Sequence, residues 1–599
     1  MGTPQKQAAR AAAPTRRKVL ITALAAGAGV ASARVLGLRN LNTPSAVDAI
    51  DAMTAADPMG MYGATDAADA QMDLPDDSFF GPQDLDGSVL PEQLRPAATL
   101  PPVAPPKTTV AALQPPISGI AMPRLAGDLD WVSPLAAESA KITHLLRRTT
   151  FSYTEAELDR ALSDGYARTV DRLLETPFAE PPAFGLRPAA TPTPSPRASA
   201  SASASARPSA SASVMPSPSA SPSASPRPSA APTGVMPTPT PSLQPLTINS
   251  QINIGNLQIW WYDWMTASPT PFAEKMTLYW HGHFTSDYRK VGTNSPAIYW
   301  QNLTWRRMGL GDLKSMLLKV TPDLAMLHYL DLAASTASKP NENYARELME
   351  VFALGVGNYT EDDVRAAAKA LAGWRLPMRT ETTAMAGVFD PKRAFAGAVT
   401  FLGRTGSFTT EQVVDQILAQ DATATFITRR LASAFVSPGA TDAYVARLAG
   451  NFRRNAYDVK SLMREMLTSP EFTAPDAYRT LIKSPVEFMV SSAKALGATN
   501  LSRTMNAYAV NLGQNIFDPP SVAGWGDNAS WISSNTMLQR ANYVSTILGQ
   551  LRQVPSAAKA HDRHLDGVLG PGTVQELNNA RDDRSRWFAV FASPEFQLK

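Results

Sequence analysis

The tryptophans limit where this chain can fold. All 11 lie at or beyond Trp131, and none falls between Pro181 and Ile248. Burial of aromatic rings dominates core formation, so packed structure is expected over about 133–180 and 247–599. Residues 187–243, which include SASASASARPSASASV, are Ser/Ala/Pro repeats with too little apolar surface to order themselves. A low-complexity insertion at 181–246 is therefore expected to interrupt a helical domain made of 131–180 and 247–599. Surface loops tolerate added length at small entropic cost, so the plain reading is a tolerated insertion; the functional one is an O-glycosylated stalk.

Paired Arg16 and Arg17 precede an apolar run from Val19 to Ala31, and Ala31-Ser32-Ala33 offers a small-residue cleavage site. That layout predicts a twin-arginine export signal over 1–33. The run is short for a membrane span and Arg34 closes it. Residues 34–130 carry no lasting periodicity and read as a mildly acidic, disordered spacer. No later stretch is long and apolar enough to span. A formal charge of +3, evenly spread, argues against a nucleic-acid partner. The absence of cysteine excludes disulfides, thiolate metal sites and cysteine nucleophiles.

Within the folded part, helix signals follow one another. Thr154 with Glu157, and Ser484 with Glu487 behind Pro485, are capping boxes. Thr321-Pro322-Asp323, Thr360 and Asp421 open further helices, and Val388–Phe408 is the one β-hairpin pattern. DVKSLMREMLTSPEF (458–472) and DDRSRWFAVFASPEF (582–596) echo each other at six positions. The fold class expected is all-α: one large domain of about a dozen helices with a minor hairpin.

The helix predicted over Pro340–Asn358 carries the candidate chemistry. Tyr344, Leu348, Val351, Phe352 and Gly355 form its apolar stripe, with Asn341 as cap. Glu342, Arg346 and Glu350 share the opposite face at i, i+4 spacing. Glu347 alone falls inside the apolar arc, where a carboxylate must find a cation, such as Arg147 or Arg306, or be neutral, or bind a metal. His281 and His283, in WHGHF, diverge by about 200° if both are helical, but share a face if the segment is extended. With Glu347 they are the candidate metal ligands; Asp331 is a further carboxylate. Asp518, Trp525, Asn528 and Trp531, in FDPPSVAGWGDNASWISSNT, are the materials of a carbohydrate-binding face and equally of a rigid, inward-packed loop. H-E-x-x-H, G-x-S-x-G and P-loop patterns are missing.

Several of these segments, HLLRRTTFSYTEAEL, EKMTLYWHGHF, PNENYARELMEVFALGVGNYTEDDVRAAAKALAGW, FLGRTG, KSPVEFMVSSAKALG, LGQNIFDPPSVAGW and FASPEFQ, occur in the order found in a bacterial family. The chain resembles that family, catalogued as domain of unknown function 1800, over roughly 140–599. Gly282 stands where an asparagine is common in the family, and Ala353 where a threonine is. The resemblance implies export, and a secreted partner from uncharacterised family 1501. Two functions follow as expectations. One is an exported cell-envelope protein binding such a partner or a polysaccharide. The other is an exported enzyme with Glu347 as acid or base, assisted by His283, Arg346 and Glu342, with a His/carboxylate metal as its cofactor.

Overall fold

The structure is a computed structural model that describes residues 133–184 and 245–599. The export signal, the spacer and the Ser/Ala/Pro stretch lie outside the described residues. The described part is all-α, with 21 α-helices and two small antiparallel hairpins.

The first three helices are α1 (Glu138–Thr149), α2 (Glu155–Asp164) and α3 (Tyr166–Glu175). Thr154 and Glu157 make the expected reciprocal cap at the start of α2. After the insertion come α4 (Ile254–Ala267), α5 (Pro271–His283), α6 (Tyr288–Val291), α7 (Ala297–Met308), α8 (Leu313–Val320) and α9 (Leu324–Tyr329). The predicted 340–358 helix begins as α10 (Glu342–Glu347), capped by Asn341, and then widens into a π-helical segment, Leu348–Ala353. The amides of Leu354 and Gly355 both reach the Met349 carbonyl, at 2.7 and 3.0 Å, and Gly355 leaves the helix at φ +81°.

Next come α11 (Glu361–Ala370) and the strands β1 (Trp374–Arg375), β2 (Val388–Phe389), β3 (Val399–Phe401) and β4 (Arg404–Gly406). The 388–408 segment forms the β3–β4 hairpin, while its first residues pair back to β1. The remaining helices are α12 (Thr410–Leu418), α13 (Asp421–Phe435), α14 (Asp442–Arg454), α15 (Val459–Leu467), α16 (Pro485–Ala495), α17 (Ser502–Leu512), α18 (Ser534–Gln550), α19 (Ala560–Leu565), α20 (Pro571–Asn579) and α21 (Asp583–Ala592). Part of the excess over a dozen helices comes from short ones, such as α6 and α19, too brief to show periodicity.

One continuous core runs from Leu145 to Phe596 and holds both parts of the domain together. α4 packs on α17, α17 on α18, α5 on α7 and α13 on α14. Within this core Glu274 of α5 meets Arg306 of α7 through two hydrogen bonds of 2.5 and 2.9 Å, both side chains fully buried. Trp261 and Trp264 donate their indole N–H groups to the same carboxylate. A buried ion pair persists where its remaining lone pairs are satisfied, and here they are.

Candidate functional site

Glu347 sits at the junction where α10 becomes π-helical, and it is half-buried. Among the described residues it makes no hydrogen bond or ion pair. The cations expected to meet it are committed elsewhere: Arg306 to Glu274, and Arg147 to Asp566 at 2.6 and 2.8 Å. Burial, reinforced by the Glu350 charge and opposed by Arg346, holds its carboxyl above the ordinary range. Burial also pushes the Tyr329 hydroxyl up to about 12, with Asp287 and Glu347 adding to it.

Glu350 was expected on the far side from Glu347. The structure places it near enough to act on it, because three residues turn only about 60° short of a full circle and the pair is effectively i, i+3. Glu350 accepts a 2.6 Å hydrogen bond from the Tyr359 hydroxyl. Glu342 and Arg346 do pair, at 3.4 Å, while Arg346 also grips Glu361 with both terminal nitrogens.

The two histidines part company. α5 continues through His283, so they project to different sides. The His281 ring lies among Trp261, Phe517 and Trp525, and its Nε2 accepts the Phe517 amide at 3.0 Å. Burial lowers its pKa to about 3. His283 donates Nε2–H to the Phe352 carbonyl at 2.9 Å, satisfying a carbonyl of the π-helical segment. Burial, and then the Arg430 charge, hold it neutral. With both Nε2 atoms turned to backbone partners, His281, His283 and Glu347 do not converge as ligands. Among the described residues no three His, Asp or Glu side chains stand together as a metal site. Asp331 bonds Lys290 at 2.8 Å on the surface.

The 515–531 loop is built mainly as a rigid brace. Asp518 pairs with Arg289 and accepts from Asn515 at 3.0 Å. Asn528 accepts the Ile482 amide at 2.8 Å, and Trp531 is buried. Asp518, Asn528 and Trp525 are half-exposed, and the Trp525 ring lies against His281. Thr285 bonds the Val522 carbonyl at 2.7 Å, and Gly524 packs directly on the Gly282 carbonyl. The WHGHF and SVAGW segments thus meet as one structural corner.

Sequence reasoning missed an open cavity of about 690 Å³ beside the N-terminus of α7. Trp300, Leu324 and Leu376 supply apolar wall, while Asn249, Gln251 and Thr293 are among the exposed polar groups at its rim. Of its lining side chains only His328 and Arg379 are ionisable. Two amide-rich turns, TINSQIN (247–253) and KVGTNSPA (290–297), form one side, tied by the Ile252 amide on the Asn294 carbonyl at 2.8 Å. Those turns are visible as turn-forming stretches, but nothing in either one foretells that they meet.

The architecture defines a large, mainly helical protein with a polar groove whose lining includes one guanidinium, Arg379, and a braced histidine corner. The chain belongs to the family described as "Protein of unknown function (DUF1800)", whose sequence profile it matches over residues 144–598. No curated protein and no solved structure matches it. No described helix is long and apolar enough to cross a membrane.

Proposed function

We propose that this protein is an exported cell-envelope component that binds a neutral, hydroxyl-rich ligand, a segment of polysaccharide, in the groove beside Trp300. The carrying observation is the lining: amide and hydroxyl side chains next to an indole, with two ionisable groups in about 690 Å³. Pockets of this size fix a ligand with a few placed polar groups on an apolar wall. Asn and Gln amides can both donate to and accept from hydroxyls, which suits a sugar better than a charged ligand. Export rests on Arg16 and Arg17 ahead of the apolar run. The test is a panel of neutral and acidic glycans against the wild type and Thr293→Trp, which fills the groove from an exposed position without touching the core. Neutral glycans should bind and the variant should lose at least about tenfold in affinity, more than 1.4 kcal/mol. Binding confined to acidic glycans, no binding, or binding the variant keeps would reject the groove.

Glu347 supports a second reading, an acid/base site. It is a half-buried, unpaired carboxyl beside a second one, Glu350, at a π-helical junction, a setting in which functional groups recur. Carboxyl carbon NMR across a pH series should give Glu347 a midpoint above the ordinary value of about 4.3. A midpoint at or below it would remove this reading.

A further inference from the structure

The start of α16 gathers more buried positive charge than the protein neutralises. Glu487 completes the capping box there, accepting the Ser484 amide at 2.8 Å. Its other oxygen receives both Lys275 of α5 and Lys599. Arg148, Arg540 and Lys483 are buried around it, at 0%, 1% and 4% exposure. Among the described residues, Glu487 is the carboxylate that acts on Arg148 and on Arg540. Two arginines and three lysines therefore crowd one carboxylate, and burial holds all three lysine pKa values below the ordinary range. The neighbouring Asp566 offers no relief, because Arg147, Tyr478 and Thr143 already occupy its oxygens.

The donors are also unfilled. Arg148 spends Nη2 on the Ala477 carbonyl and the Thr480 hydroxyl, leaving Nε and Nη1 buried without an acceptor. Arg540 uses both terminal nitrogens, on Gln597 and the Lys483 carbonyl, and its Nε has none. The Lys483 ammonium stands 3.5 Å from the centre of the Phe596 ring, with no hydrogen bond or ion pair among the described residues. Lysine can shed its proton when buried, but arginine cannot. Unneutralised guanidinium inside a protein is costly unless an anion joins it.

We propose that this cluster is a binding site for a small inorganic oxyanion of the phosphate or sulfate type, held by Arg148, Arg540 and Lys483 beside Glu487. Guanidinium donors match tetrahedral oxyanions in geometry as well as charge. The cations are too enclosed for a polymer or a lipid headgroup to reach them.

Thermal melts of the full protein at constant ionic strength, with sodium phosphate or sulfate replacing sodium chloride, test this. Phosphate or sulfate should raise the melting temperature by about 4 °C or more and saturate, as binding to the folded state alone requires. Lys483→Met keeps the stem on Phe596 and breaks no ion pair, and it should weaken the apparent affinity at least about tenfold. Equal melting in all three salts, or a rise that Lys483→Met leaves unchanged, would overturn the site. Should the variant fail to fold, crystals of the wild type soaked in selenate decide: an anomalous peak within hydrogen-bonding reach of Lys483 Nζ and Arg148 is expected, and its absence is equally fatal.

Discussion

Asp323 caps α9 from inside the fold. Its Oδ1 accepts the Met326 amide at 2.9 Å and the Gln301 side chain at 2.7 Å. Burial raises its pKa from the ordinary 3.8 to about 7, and those hydrogen bonds offset only part of the shift. The folded state thus holds this proton more tightly than the unfolded chain. Its contribution to stability is complete below pH 3.8 and is lost as pH rises through about 7. Asp323→Asn keeps an oxygen for both donors and remains a good helix cap. It should match the wild type near pH 4 and exceed it at pH 8, by on the order of 2–4 kcal/mol. Denaturant melts at the two pH values measure the difference, and equal stability at both would show that Asp323 stays ionised. Glu347 shows what was legible at this scale. Its anomalous place beside an apolar stripe could be read from spacing alone. Its lack of a partner could not, because Arg147 and Arg306 meet their carboxylates, Asp566 and Glu274, from remote parts of the chain.

Capping chemistry made some helix starts readable, since Thr154, Thr360 and Ser484 each bond an amide three residues on. The echo of 458–472 in 582–596 is also a local device. Ser469 and Ser593 each bond the carbonyl three residues back and accept the amide of Phe472 or Phe596, turning both helix ends alike. The π-helical widening after Glu347 was not readable, because i→i+5 bonding leaves no distinct residue pattern at this length. Nor was the corner between α5 and the 515–531 loop, which depends on a contact across more than 200 residues. Gly524 is its pivot. It sits at φ +82°, and a Cβ there would lie 2.3 Å from the Gly282 carbonyl oxygen. Gly524→Ala should therefore cost about 2 kcal/mol or more and loosen Trp525 from His281, visible as a shift in tryptophan emission. Gly406→Ala, at a position with open space and no positive φ, is the control and should change stability by less than about 0.5 kcal/mol.

At the scale of the molecule, the groove beside Trp300 required loops 247–253 and 290–297 to be brought together by the whole fold, which no local pattern could show. The same whole-fold packing bears on the Ser/Ala/Pro insertion. On its N-terminal side, the Pro182 carbonyl accepts the Trp260 indole at 2.7 Å and Phe184 packs on Trp260 and Tyr299. On its C-terminal side, Leu246 is buried in the main core and Thr247 bonds Ser250 at 2.9 Å. Each flank is thus held by its own contacts with the domain rather than through the insertion. Stability should then depend on these anchors and hardly at all on what lies between them, since loop length enters only logarithmically. Replacing Pro188–Pro241 with a flexible Gly/Ser linker of about half the length should leave one cooperative melt within about 2 °C of the wild type. A fall of more than about 5 °C, roughly a kcal/mol or more for a domain of this size, would mean that the insertion packs on the fold. Phe184→Ala in the shortened protein separates the two cases. It should lower the melt by as much as it does in the full chain, because the anchor and the insertion act independently.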